Sequence, residues 1–284
     1  MRFAALTTSR FHAPGDRLAA QSQRLALVAV IALLLTLLVW LQRSGLQHSG
    51  FTTGYALYAG VIALISLHWR KAAPSLPLGK ISVWLRFHIY LAYLTIVLFG
   101  LHVGFRLPTG LFETALFAVF AVVAGSGLYG LYLTRTAPRQ LRLLPEEVVY
   151  EQIPHIRREI QHESRRIIAS AVDSTSLADF YRRKLAPLIE QRRGLLYFLY
   201  PNSRRRRRLT EELRELHRFL NPAQREHALK LERLLGRKDD LDFQAALQIR
   251  LKLWMYGHIG FSYSLLLLGT VHGLVAHAFQ GGLR

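Results

Sequence analysis

Four histidines sit in apolar surroundings at matched spacing. His88 and His102 stand 14 residues apart in one uncharged stretch, and His258 and His272 stand 14 apart in another. Fourteen residues of α-helix make about 3.9 turns, so both rings of a stretch fall close to one face, roughly 21 Å apart along the axis. Haem iron accepts histidine nitrogen from both sides of a large apolar macrocycle. On two parallel helices His88 would face His258 and His102 would face His272, which is what two non-covalent, bis-His haems b require. A lone intramembrane histidine is about as often a helix–helix hydrogen-bonding residue. Four at equal spacing are harder to assign to packing, because ionisable groups within a span are costly and mark function.

Neighbouring residues suit the same chemistry. Gly100, Gly104 and Gly273 lie beside the histidines, where a flat ring must approach the backbone closely. Arg86, Arg106, Arg250 and Lys252 lie at stretch ends, placed to neutralise haem propionates. Of the other histidines, His48, His68 and His277 read as interfacial, and His12, His155, His162, His217 and His227 as solvated. The chain has no cysteine. That excludes disulfides, thiolate-bound iron–sulfur clusters, cysteine-bound zinc and covalent c-type haem in this chain.

The elements that must hold these rings follow from composition. The chain is 51% hydrophobic and 19% charged, yet has 37 Lys+Arg against 18 Asp+Glu, a formal net charge of +19. Apolarity and basicity are therefore segregated along its 284 residues. A bilayer crossing takes about 20 apolar residues. Five uncharged windows answer to that: Leu25–Gln42, Ser44–Trp69, Phe87–Phe105, Thr114–Thr134 and Leu253–Leu283. The expected fold is all-α: a polytopic membrane helix bundle of five spans with a helical cytoplasmic insert. Residues 1–23 form a cytoplasmic N-terminal segment, 24–134 spans one to four, 135–252 the insert, and 253–284 the fifth span with a short outer tail.

Lys and Arg in short connections set orientation. Arg2, Arg10, Arg17 and Arg24 precede the first span, and Arg70, Lys71 and Lys80 fill the second connection. The first connection has only Arg43, and the third has Arg106 opposed by Glu113. This predicts a cytoplasmic N-terminus and an outer C-terminus in a bacterial-type inner membrane, with the third and fifth spans parallel. The first span reads as a retained anchor, being too long for a cleaved signal.

The insert has 26 Lys+Arg and 16 Asp+Glu, net +10. Asn221, Pro222 and Gln224 predict a capping box with a first-turn proline, and Gly236 the matching C-cap. Thr210 before Glu211 and Glu212 predicts another helix start, Ser176 with Asp179 a third, and Asp239 with Asp240 a cap for the helix leading into the last span. Arg204 to Arg208 suit anionic lipid headgroups or an acidic protein, with a solvated loop after Pro201 and Asn202 equally in keeping; nucleic acid is not expected. Leu195–Tyr200, with Tyr197, Phe198 and Tyr200, reads as an aromatic and basic interfacial anchor. Gly125, Gly127 and Gly130 match GxGxxG but lie inside an apolar span, so they read as a small-residue packing surface and not a dinucleotide fingerprint.

The segments RFHIYLAYLTIVLFGLHVGFR (86–106) and GHIGFSYSLLLLGTVHG (257–273) resemble the transmembrane core of the ferric reductase and NADPH oxidase superfamily. They are also similar in logic to cytochrome b of quinol-oxidising complexes. The resemblance covers about a third of the chain and implies that His88, His102, His258 and His272 are the haem ligands. That family's sixth span and its FAD/NADPH module have no counterpart in these 284 residues. The resemblance therefore implies an electron-transfer subunit more than a self-contained enzyme, served by an iron–sulfur, flavin or multihaem c-type partner. No feature singles out a quinone site; the cytoplasmic end near Trp84, Trp254 and Tyr256 is where one would be sought. Two alternatives stay open: a transporter using histidines as a proton relay, and a haem-free scaffold anchored in the membrane.

Overall fold

The computed structural model describes residues 14–44, 49–72, 79–146, 148–171, 175–199 and 201–280, and no strand occurs among them. In chain order the helices are α1 (Pro14–Ser44), α2 (Ser49–Ala72), α3 (Ile81–Val103), α4 (Leu111–Leu141), α5 (Ile153–Ser170), α6 (Thr175–Phe180), α7 (Ala186–Ile189), α8 (Leu195–Leu199), α9 (Arg204–Leu216) and α10 (Pro222–Gln280). A π-helical turn, Tyr181–Leu185, joins α6 to α7. Helices α1 to α4 and α10 are long and apolar enough to cross a membrane. The chain divides into two compact units, residues 1–127 with 258–284 and residues 128–257. The expected domain limits at 134 and 252 fall inside α4 and α10.

In the first unit α3 packs along α2 and α1. Its buried layer joins Val61 and Ile65 of α2, Phe120 of α4 and Leu265 of α10. Phe99 of α3 stacks on Phe120 with ring centroids 3.7 Å apart. The outward faces are apolar too, as Leu33, Trp40 and Leu267 illustrate. A helix apolar all round belongs in a bilayer or a large core, not against water. Arg2, Arg10 and His12, His48, and the last residues 281–284 lie outside the described residues.

The end of α3 shows what its glycines do. Gly104 adopts the left-handed conformation, φ 66°. Its N–H donates to the Leu101 carbonyl at 3.3 Å, and the Phe105 N–H donates to Gly100 at 3.0 Å. This is a Schellman motif, which satisfies two of the carbonyls that a helix end leaves unpaired. The Phe105 ring folds back over Gly100, where a Cβ would come within 2.7 Å of it. Gly100 and Gly104 therefore shape the end of the helix around His102.

The second unit has a core of its own. Ile153, Ile160 and Ile167 of α5 form one buried stripe and meet Leu177, Leu185, Leu209, Leu213, Leu231 and Leu235. The reciprocal cap of α10 forms as the sequence predicts: Gln224 N–H donates to Asn221 Oδ1 at 2.8 Å, and Asn221 N–H to Gln224 Oε1 at 3.1 Å. Gly236 does not end that helix. Leu231, Leu235, Lys238, Asp242 and Ala245 all fall on its buried face. Their burial outweighs the cost of about 1 kcal/mol for an interior glycine. Asp239 and Asp240 likewise do not cap; they accept from Arg193 (2.6 Å) and Arg206 (2.9 Å). Helix α9 starts at Arg204, within the arginine run and ahead of Thr210, because Arg206 shares the buried face of Leu209 and Leu213. Arg204, Arg205, Arg207 and Arg208 remain exposed, on a helix and not a loop. The third start lies at Thr175, one residue before Ser176.

Candidate functional site

All four histidines lie in the first unit, and their rings meet in the pairs that the spacing predicts. His88 and His258 have ring centroids 6.4 Å apart with planes at 72°, and His102 and His272 have centroids 6.3 Å apart at 88°. Helices α3 and α10 supply one ring each to both pairs. No group of three or more His, Asp or Glu able to hold a metal ion occurs among the described residues.

Hydrogen bonds settle which ring nitrogen faces the site. His88 Nδ1 lies 3.0 Å from the Leu64 carbonyl of α2. A carbonyl only accepts, so Nδ1 carries the proton and the lone pair is on Nε2. His258 Nδ1 lies 2.7 Å from Ser126 Oγ, whose own proton goes to the Val123 carbonyl at 2.9 Å. His102 Nδ1 lies 3.0 Å from Thr53 Oγ1, which donates to the Gly50 carbonyl at 3.1 Å. Each hydroxyl donates backward along its helix and accepts from the imidazole, so all three rings share the Nδ1–H tautomer. Metal-ligating histidines characteristically donate their second nitrogen in this way, which fixes the ring and raises its basicity. On His272 the Phe112 ring stacks at 6.2 Å.

Sequence reasoning did not single out Thr53, Leu64 or Ser126. The glycines against the imidazoles also differ from those expected. A Cβ at Gly54 would stand 3.2 Å from His102 Cε1, and one at Gly127 would stand 3.6 Å from His258 Cε1. Gly273 faces open space. Within the small-residue run of α4, Gly127 stands beside the His258 imidazole at ordinary contact distance, and Gly130 lies directly against the Trp254 indole. Beside His102 and His272 is a cavity of about 250 Å³, walled by Leu57, Val61, Phe117 and Phe120 among others.

The remaining predicted residues scatter. Arg86 is exposed and donates to the Ser82 carbonyl of its own helix at 3.2 Å. Arg106 is exposed in the turn after α3. Arg250 and Lys252 belong to the second unit. There Lys252 pairs with Glu151 at 3.3 Å and stands 4.0 Å over the Tyr150 ring. Trp254 lies against Gly130, and Tyr256 is exposed. His277 accepts a hydrogen bond from, or donates one to, the Tyr55 hydroxyl, and His68 lies edge-on to Tyr263 at 5.9 Å. His217 and His227 are half-buried, each with one shielded ring nitrogen, and are not solvated as expected.

These features define a class no finer than an all-helical protein with five membrane-length helices and two facing histidine pairs. No family model matches the chain, and no curated protein or solved structure is significantly similar to it.

Proposed function

We propose that this protein is a di-haem membrane cytochrome b that passes electrons across a bilayer as a subunit of an oxidoreductase complex. The ring separation carries this reading. Two imidazoles bound through Nε2 to one metal at about 2.0–2.1 Å have centroids roughly 6.4 Å apart. The observed 6.4 and 6.3 Å match that separation at both pairs. With only two protein ligands per site, the metal must bring its own equatorial donors, as a porphyrin does. The chain has no thiolate to offer another redox centre.

When bound, each haem supplies a one-electron ferric/ferrous couple. The chain's own residues do the rest. His88 with His258, and His102 with His272, would hold the iron axially. Thr53, Ser126 and the Leu64 carbonyl keep three of those rings in the ligating tautomer. The apolar layer of Phe99, Phe120, Val61 and Ile65 excludes water from the space between the pairs. Arg86 and Arg106, two residues before His88 and four after His102, could meet propionates at the two membrane faces.

The lysine and arginine distribution supports a multi-pass protein of a bacterial-type inner membrane, N-terminus cytoplasmic. Electrons then enter and leave through a quinone or through an iron–sulfur, flavin or multihaem c-type partner. The exposed arginines of α9 suit an acidic partner or anionic lipid.

An absorption spectrum tests the proposal. Dithionite reduction of the purified protein should give b-type α and Soret bands with haem content near two per chain. His102→Ala should halve that content and leave the other haem's bands in place. Colourless protein from haem-replete cells, or both haems retained in His102→Ala, would overturn it.

A further inference from the structure

The two hydroxyl contacts are built alike. Thr53 and Ser126 sit on different helices, α2 and α4, and serve different pairs. Each hydroxyl donates to the carbonyl three residues before it, Gly50 or Val123, and accepts from an imidazole Nδ1. Each is followed at once by a glycine beside that imidazole: a Cβ at Gly54 would stand tightly against its ring at 3.2 Å, and one at Gly127 at an ordinary 3.6 Å. Serine and threonine in apolar helices commonly bond back to their own backbone. That habit alone explains neither the second bond to a histidine nor the glycine behind it. Twice over, the hydroxyl fixes the tautomer, and at His102 the glycine also eases the ring's approach.

We infer that Thr53, with Gly54 behind it, and Ser126 are positioning residues, one per histidine pair, that set the redox potential of each haem separately. The inference rests on the di-haem reading. A hydrogen bond from Nδ1–H makes the imidazole a stronger electron donor, which favours ferric iron and lowers the midpoint potential. Thr53 meets His102 of one pair and Ser126 meets His258 of the other, so each hydroxyl addresses its own pair. His88 differs in kind: its acceptor is the Leu64 backbone, which no side-chain substitution removes.

The test is a potentiometric titration of the full-length protein in detergent, with the two haems resolved. Thr53→Val keeps shape and removes the hydroxyl; Ser126→Ala does the same at the other pair. Each should raise the midpoint of its own haem, leave the other in place, and loosen its own haem about 10–100-fold. The conservative variants Thr53→Ser and Ser126→Thr should restore the original midpoints, which a merely packing role would not require. Gly54→Ala should disturb the His102 haem more than Gly127→Ala disturbs the other, because the added methyl meets its ring at 3.2 Å and not 3.6 Å. Two haems in the wild type with midpoints unmoved by Thr53→Val and Ser126→Ala would overturn this inference and leave the di-haem reading standing. Wild-type protein without haem would instead overturn that reading.

Discussion

An imidazole that ligates through Nε2 must keep its proton on Nδ1, and something must hold that proton. In His88, His102 and His258 the holder is a carbonyl or a hydroxyl already committed elsewhere. The ring planes of each pair then follow from where those acceptors stand, and they cross at 72° and 88°. Near-perpendicular axial planes leave two iron d orbitals close in energy, so a ferric centre gives a strongly anisotropic low-spin signal. If each pair holds a haem, as proposed, electron paramagnetic resonance of the oxidised protein should show that signal at both sites; a three-line rhombic spectrum from coplanar rings would contradict the geometry. The histidine pairing was legible in the sequence, because a 14-residue spacing and helix direction determine which rings meet. Thr53 and Ser126 were not. A hydroxyl in an apolar helix usually satisfies itself on its own backbone, and its second partner depends on how the neighbouring helix is rotated. Only the following glycine, shared by both positions, offered a signal.

At the scale of elements, local signals held at exposed ends and failed where burial competed. The Asn221–Gln224 cap is exposed and forms as read. Gly236, Asp239 and Thr210 were read as boundaries, yet their helices run through them, because the buried faces of α9 and α10 continue past those points. The acidic residues of this stretch of α10 organise the second unit. Asp242, 1% exposed, accepts from Arg157 at 2.9 Å, Arg193 at 3.1 Å and Lys238 at 2.5 Å. Burial pushes the Tyr197 phenol up, with the Asp239 charge adding to the shift, so it stays neutral. Its contact with Arg193, 4.8 Å from guanidinium to ring, is therefore cation–π and not ionic. Removing one partner from such a network strands buried charge. Asp242→Asn should destabilise the second unit by about 3–5 kcal/mol. Limited proteolysis across a temperature series would show earlier cleavage between residues 128 and 257; an unchanged midpoint would mean that the network contributes little.

At the scale of the molecule, the net charge of +19 and the apolar spans answer to different parts of one chain. The insert from 135 to 252 has more than half of the excess, +10, and its exposed arginines on α9 remain available to a partner after Arg206 turns inward. The helical class and the five membrane-length helices were open to reading from apolar runs alone. The unbroken course of α10 from Pro222 to Gln280 was not, since its polar half has ordinary stop signals. The repeated 14-residue interval has an electrical consequence. Both α3 and α10 are continuous between their two histidines, so on the proposed di-haem reading an electron moving from one pair to the other would travel roughly 21 Å of a hydrocarbon core about 30 Å thick. That is about 0.7 of the field, or ~1.6 kcal/mol for each 100 mV of membrane voltage, a roughly 15-fold change in how the electron divides between the pairs. In proteoliposomes, a diffusion potential should move a single electron per chain toward the positive side, read as opposite absorbance changes of the two haems. The chain would then be a capacitor with histidine plates, reporting membrane voltage as colour.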